Sequence, residues 1–162
     1  MRERSSLPVR DLSDTALLEP LVHLPFESSV GYQVRLTHRS IQRLLQARIE
    51  PYGVQLGMWY LLRALWNEDG LTQRELSHRV VIMEPTTMHT IAAMERTGLI
   101  TRVRNEADRR KINIFLTKKG KRLEQTLLPI AKEVVADVVR GFSEEDVEQF
   151  LGFLRTIQQN LR

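Results

Sequence analysis

The chain has 162 residues, 42% of them apolar, and its 24 basic and 20 acidic side chains give a net charge of +4, which fits one globular domain or two small lobes sharing a core. The absence of cysteine excludes disulfides, thiolate metal sites and thiol-based redox sensing. No apolar run reaches membrane-spanning length and residues 1–14 lack the apolar core of a signal peptide, so we predict a cytoplasmic protein.

The first part of the chain divides into an arm and two helices. Residues 1–26 contain three prolines and little periodicity, and we predict an arm with one short helix near Thr15–Glu19. From Glu27 to about Ile49, apolar residues recur at helical spacing, which predicts a long amphipathic helix. The segment 54–69 is apolar nearly all round, which is typical of a buried central helix.

Two short helices are predicted next. Thr72 and Glu75 have the spacing of a capping box, which opens the first of them. Pro85 suits the first turn of the second helix, which extends to about Thr97, and Gly98 ends it with a left-handed backbone. Two short helices joined by a tight turn indicate a helix-turn-helix.

A basic hairpin and two further helices complete the chain. Residues 99–104 and 111–117 read as two short strands, and a β-hairpin directly after a helix-turn-helix is a wing. Thr117 is placed to cap a long helix, and Ser143 with Asp146 is placed to cap a final amphipathic helix.

The predicted fold is mainly α-helical with a small β-hairpin: a winged helix-turn-helix DNA-binding lobe plus a helical dimerisation region formed by the N- and C-terminal helices. We assign residues 1–26 to the arm, 27–52 to a dimerisation helix, 53–122 to the winged helix-turn-helix lobe and 123–162 to C-terminal dimerisation helices. The apolar stripes of the first and last helices need a partner surface, so we expect a homodimer.

Positive charge is concentrated in the predicted winged lobe. Residues 70–122 contain 12 basic and 5 acidic side chains, net +7, whereas residues 1–69 are neutral and residues 123–162 have a net charge of −3. This distribution suggests a polyanion-binding lobe on a non-binding scaffold. The alternative is a solvated basic surface.

The candidate DNA contacts lie on the second helix of the helix-turn-helix, on the wing and at the start of the next helix. Short polar groups on the exposed side of that helix suit close approach to a major groove. Arg109 and Arg110 at the hairpin tip are placed to enter a minor groove, with Asp108 to orient an arginine. Lys118 is the first of several cations in the first turn of the long helix that follows the wing. The helix dipole disfavours positive charge at this end, and a bound phosphate would offset the repulsion. The full set is Thr86, Thr87, His89, Thr90, Arg96, Arg102, Arg104, Asp108, Arg109, Arg110 and Lys118.

A candidate ligand site lies on the first two helices. Arg35, Arg39 and Arg43 repeat every four residues along one helix face. They form either an anion site or a stripe that is solvated or paired with acidic side chains. Tyr32 and Trp59 are candidates to line a pocket between the two helices, although aromatic residues at such spacing also form plain core. An aromatic carboxylate or an acyl-coenzyme A thioester would suit these groups.

No catalytic residues, cofactor or metal site are predicted. The four histidines are scattered without metal-ligand spacing, and no glycine-rich loop is placed to bind a nucleotide. No serine, histidine and acid grouping indicates a nucleophile, so we predict that the protein is not an enzyme.

The wing resembles that of the MarR (multiple antibiotic resistance regulator) family of winged helix-turn-helix transcription factors. The family pattern is Asp-x-Arg, five residues, Leu-Thr, two residues and Gly, and it is filled by Asp108, Arg110, Leu116, Thr117 and Gly120. The resemblance covers about residues 27–160. It implies a dimer whose recognition helices enter successive major grooves of a pseudo-palindrome, with wings in the flanking minor grooves. It also implies release of DNA by a small ligand, with Arg110 in the minor groove and Asp108 holding it.

We therefore predict a sequence-specific transcriptional regulator, acting as a homodimeric repressor on a pseudo-palindromic operator and released by a small anionic effector. The expected partners are double-stranded DNA, a second copy and the effector, with no membrane. His89 stands where relatives often have arginine, which predicts base readout by hydroxyl, imidazole and apolar groups. The alternative is a winged-helix module whose basic patch binds an acidic protein.

Overall fold

The computed structural model describes residues 25–162, so most of the predicted arm, with its short helix near Thr15–Glu19, lies outside the described residues. The helices are α1 (Val30–Ile49), α2 (Leu56–Asn67), α3 (Gln73–Val80), α4 (Glu84–Arg96), α5 (Lys118–Val138) and α6 (Glu144–Asn160). The strands are β1 (Leu71–Thr72), β2 (Ile100–Arg104) and β3 (Ile112–Leu116), and 3-10 turns span Phe26–Ser28 and Glu50–Tyr52.

The described residues fall into two units, 25–40 and 41–162. The predicted order of helix-turn-helix and wing is confirmed in the second unit, where α3 and α4 precede the hairpin of β2 and β3. The assignment of residues 27–52 and 123–162 to dimerisation stays a prediction. None of the described helices combines the length and apolar content needed to cross a membrane.

A third strand, β1, joins the wing to the lobe. The sheet is antiparallel with the order β1-β3-β2, and Leu71 pairs with Ile114 while Ile100 pairs with Leu116. Strand β1 was not predicted, because a strand of two residues is too short to show an alternation of apolar and polar positions.

The core of this unit is built around α2. The buried residues of this helix are Met58, Trp59, Leu61, Leu62, Ala64 and Leu65, which confirms the predicted central helix. The indole rings of Trp59 and Trp66 meet edge to face with centroids 5.8 Å apart, and Trp66 Nε1 donates to the Gly120 carbonyl at 3.0 Å. This hydrogen bond joins α2 to the first turn of α5.

The predicted capping box at the start of α3 is present. The Glu75 backbone N–H donates to Thr72 Oγ1 at 3.3 Å, and the Thr72 N–H donates to Glu75 Oε2 at 2.7 Å. Donation from the Thr72 hydroxyl, followed by its backbone N–H, holds the pKa of Glu75 below its ordinary value. The box fixes α3 so that Leu76 points into the core.

The α4 helix ends in a Schellman motif at the predicted glycine. Gly98 has φ +70°, its N–H donates to Glu95 O at 2.9 Å, and the Leu99 N–H donates to Met94 O at 2.9 Å. The left-handed residue turns the chain directly from α4 into β2.

The start of α5 packs against this same turn. Thr117 Oγ1 accepts from the Gly120 N–H at 3.1 Å, as its predicted capping role requires, and donates to Gly98 O at 2.7 Å. A Cβ atom at Gly120 would lie 2.2 Å from the Leu99 carbonyl oxygen, so a side chain at this position requires backbone to move. Glycine at residue 120 therefore sets the distance between α5 and the end of α4.

Replacing Gly120 with alanine should destabilise the protein by about 3 kcal/mol, because overpacking against backbone cannot be relieved by a rotamer change. Gly57→Ala is the matched control, since a Cβ atom there meets Thr90 at an ordinary 3.4 Å and alanine favours helix. Urea unfolding of both variants measures the difference, and we expect the control to range from neutral to about 1 kcal/mol more stable. Equal stability of the two variants would contradict the close approach.

Candidate nucleic-acid interface

The recognition helix α4 has one face in the core and one in solvent. Ile91 and Met94 are buried, whereas Thr86, His89 and Arg96 are exposed. The helix begins at Glu84, one residue before the predicted Pro85, and the Glu84 carboxylate in the first turn interacts favourably with the helix dipole. The exposed face offers small polar groups toward the N-terminal end, as the sequence predicted.

Thr87 of the predicted DNA-binding set faces inward, and its assignment is corrected, whereas Thr90 is only half-buried and stays a prediction. Thr87 is 1% exposed and its hydroxyl donates to Met83 O at 3.3 Å. Thr90 is half-buried against Gly57 of α2, and its hydroxyl donates to Thr86 O at 3.0 Å. Thr87 shares the helical face of Ile91 and Met94, so burial excludes it from contact with DNA.

Three apolar side chains in the turn before α4 and in its first half are exposed, which the sequence pattern did not predict. Val81 is 91% exposed, and Met83 and Met88 are also exposed. Among residues 25–162, Val81 is the one non-glycine residue with a positive φ, +54°, a conformation that is strained for a β-branched side chain. Apolar groups at this end of a recognition helix suit contact with the methyl group of thymine.

The wing tip holds an aspartate–arginine pair in an open position. Asp108 Oδ1 accepts from the backbone N–H and from Nε of Arg110, both at 3.1 Å, while the Arg110 side chain remains 91% exposed. The hydrogen bonds from the Arg110 side chain and backbone lower the pKa of Asp108. Asp108 therefore stays ionised at neutral pH and orients an arginine that faces solvent.

The other predicted arginines of the wing lie on β2 and at the hairpin tip. Arg102 in β2 pairs with Glu95 of α4, Nε to Oε2 at 3.1 Å, which ties the wing to the recognition helix. Arg104 and Arg109 are exposed. The guanidinium groups of β2 and the hairpin tip thus belong to the solvent-facing side of the wing.

The exposed lysines at the start of α5 differ in whether they have a partner within the fold. Lys119 Nζ donates to the Thr97 carbonyl at 2.9 Å, and Lys121 pairs with Asp69 at 3.2 Å. These contacts give two of the lysines structural partners and reduce the predicted conflict with the helix dipole. Lys118 is exposed and stays a candidate for phosphate binding.

A groove joins the wing to α3 and contains two cations that the sequence analysis did not select. Arg74 and Lys111 line it together with Arg110, and the carboxylates of Glu75 and Glu84 lie at the same groove. Arg74 is distant from the wing in sequence, but the pairing of β1 with β3 brings the start of α3 beside the wing. The surface shared by Arg74 and the wing is therefore apparent only in the structure.

The predicted ligand residues belong to different units. In residues 25–40, Tyr32 is half-buried and Arg35 and Arg39 are exposed on α1. In the second unit, Arg43 is exposed and Trp59 is 2% exposed within the core. Trp59 belongs to the buried core cluster of this unit and meets Trp66 edge to face, so its assignment to a pocket wall is corrected to core.

The chain is similar to known regulators over most of its length. The model of the MarR family matches residues 56–112. A MarR transcriptional regulator from Methanosarcina mazei Go1 is 32% identical, with a TM-score of 0.74 over 81% of this chain and 94% of that one. S. aureus MepR, solved as a complex with DNA, is 25% identical, with a TM-score of 0.77 over 82% of this chain and 98% of that one.

A curated relative agrees with these structures. The uncharacterized HTH-type transcriptional regulator YwoH of Bacillus subtilis (strain 168) is 27% identical over 131 residues, which are 79% of this chain and 93% of that protein. The predicted family and the prediction of a regulator rather than an enzyme are thereby confirmed. The chain belongs to the MarR family and is a DNA-binding transcriptional regulator.

Proposed function

We propose that this regulator is a sequence-specific repressor that binds a pseudo-palindromic operator as a homodimer and is released by a small anionic ligand. The observation that carries the DNA-binding part is the wing pair, in which Asp108 fixes the direction of Arg110 while the guanidinium stays open to solvent. An oriented, exposed arginine suits the negative potential of a narrow minor groove.

The proposed DNA surface combines the exposed residues of α4, the wing and the groove beside it. The recognition helix contributes small groups and exposed methionines, which contact base edges without bulk. The cations around it neutralise phosphates. The proposed contacts are Thr86, Met88, His89 and Arg96 on α4, Arg102, Arg104, Arg109, Arg110 and Lys111 on the wing, and Arg74 and Lys118 beside them.

The proposed dimer rests on apolar side chains that the second unit leaves in solvent. Phe153 is 60% exposed, and exposed apolar residues recur along α6 and at the end of α5. They are Val135, Val138, Phe142, Phe150, Leu151, Ile157 and Leu161. Repeated apolar exposure marks an interface, and a second copy with two-fold symmetry supplies the same surface in return. Such a dimer bound across two major-groove segments occludes that DNA from other proteins, which supports repression.

The proposed ligand contact rests on two arginines within the first unit. Arg35 and Arg39 lie one helical turn apart and both are exposed, so their like charges oppose each other. A carboxylate, or the phosphates of an acyl-coenzyme A thioester, would remove this repulsion. Arg43 stays a prediction from the sequence, and buried Trp59 is not part of the proposal.

Replacing Arg109 and Arg110 with alanine should weaken DNA binding and flatten its salt dependence. Neutralising several phosphates per dimer gives a log–log slope of roughly −5 to −10, and loss of two cations per protomer should reduce it by about 2 to 4. Fluorescence anisotropy at several salt concentrations measures the slope.

The matched control removes two charges outside the winged lobe, as Lys132→Ala with Arg162→Ala. We expect its slope to equal that of the unmodified protein. A slope that the wing substitutions leave unchanged would refute the wing assignment, whichever DNA sequence is used.

Selection from random duplex DNA should enrich an inverted repeat whose half-site centres are about 34–36 Å apart, as a two-fold dimer requires. Phe153→Glu should convert the dimer to a monomer in sedimentation experiments and abolish the preference for two half-sites. Gln159→Glu adds the same charge on the opposite side of α6 and should keep both properties. Enrichment of a single half-site by the unmodified protein would contradict the dimer.

Arg39→Ala should reduce ligand-induced release of operator DNA while leaving DNA affinity without ligand close to that of the unmodified protein. The probes are a panel of aromatic carboxylates and acyl-coenzyme A thioesters, and the readout is the ligand concentration that releases half of the bound DNA. Arg162→Ala is the charge-matched control. Identical release curves for both variants would show that the arginines of α1 form a solvated stripe.

A further inference from the structure

A continuous line of side-chain hydrogen bonds leads from the body of the winged lobe to the wing tip. Asn113 lies in the central strand β3, and its Nδ2 donates to the Gly70 carbonyl at 2.5 Å. Its Oδ1 accepts from Asn105 Nδ2 at 2.9 Å. Asn105 Oδ1 in turn accepts from the backbone N–H groups of Ala107 at 2.9 Å and Asp108 at 2.8 Å. The amide of Asn113 therefore bridges two partners, and that of Asn105 bridges three.

The last step of this line is the pair of Asp108 and Arg110. An ion pair whose arginine is 91% exposed is screened by water and salt, and by itself it orients a guanidinium weakly. The pair becomes directional when the backbone that bears the carboxylate is fixed. Asn105 supplies that constraint because it binds the Asp108 N–H directly.

Asn113 is an unusual choice for its position in the sheet. Asparagine is depleted in β-strands, where β-branched residues pack better, yet Asn113 lies between Thr72 of β1 and Val103 of β2. Its amide reaches Gly70 on one side and Asn105 on the other. A residue that breaks a local preference and makes two specific hydrogen bonds indicates selection for those bonds rather than for strand formation.

We infer that Asn113 is a positioning residue for DNA binding: it holds Asn105, and through Asn105 and Asp108 it sets the direction of Arg110. The inference rests on the proposed function, because the direction of Arg110 matters to DNA affinity only if Arg110 contacts DNA. Asn113 itself touches no DNA and acts through the wing arginine.

A double-mutant cycle between Asn113 and Arg110 tests this inference. Threonine suits a strand and cannot bridge both partners, so Asn113→Thr removes the link while keeping the sheet. We expect Arg110→Ala to lower operator affinity about tenfold. Asn113→Thr should lower affinity about fivefold when Arg110 is present and leave it unchanged in the Arg110→Ala background. An equal loss in both backgrounds would overturn the inference, since a general effect on folding does not depend on Arg110.

Two further variants complete the test. Arg96→Ala at the end of α4 lies outside the hydrogen-bonded line, so its effect should add to that of Asn113→Thr. Asn105→Ser keeps an acceptor for the backbone N–H groups, but one short hydroxyl cannot also replace the Nδ2 group that donates to Asn113, so this variant should reproduce the dependence on Arg110. If Asn113→Thr does not fold, the double-mutant cycle between Asn105→Ser and Arg110→Ala tests the inference in its place. An unmodified protein that binds no duplex DNA would overturn the proposed function, whereas normal binding with additive cycles would overturn only the positioning role.

Discussion

The position of the recognition helix depends on the contact between the first turn of α5 and the junction of α4 with β2. Gly120 approaches the Leu99 carbonyl so closely that a Cβ atom has no room. Thr117 and Lys119 bind the carbonyls of Gly98 and Thr97 in the same junction. The C-terminal end of α4 is therefore fastened to α5. A displacement of α5 that preserves these hydrogen bonds carries the end of the recognition helix with it.

The basic residues of the lobe fall into two groups that a charge count does not separate. Lys119, Lys121 and Arg102 have partners within the fold, and the contacts hold α5 and β2 in place. Arg104, Arg109 and Lys118 are exposed and available to phosphates. Part of the positive charge of the lobe is therefore already paired within the fold, and the salt dependence should be smaller than the charge count alone suggests.

The sequence predicted those features that depend on neighbours in the chain. The capping boxes of α3 and α6 and the left-handed Gly98 follow from residues within one or two helical turns, and the structure contains all three. Strand β1, the partners of Lys119 and Lys121, and the groove shared by Arg74 and Arg110 depend on contacts between distant segments. The inward orientation of Thr87 was readable from the helical wheel, since the residue shares a face with Ile91. The left-handed conformation of Val81 carries no sequence signal at all.

The recognition helix and the wing contribute differently to the affinity and specificity of DNA binding. Toward its N-terminal end, the exposed face of α4 presents threonine, histidine and methionine, none of which makes the bidentate contact with guanine that arginine makes, and Arg96 follows only in the last turn. Specificity then depends on apolar and single hydrogen-bond contacts, on the A·T content of the flanking minor grooves and on the deformability of the duplex. Such weak contacts distinguish one base pair from another only if the helix is held at a fixed depth in the major groove. The wing supplies this constraint, because an arginine that is oriented before binding loses little conformational entropy when it enters the minor groove.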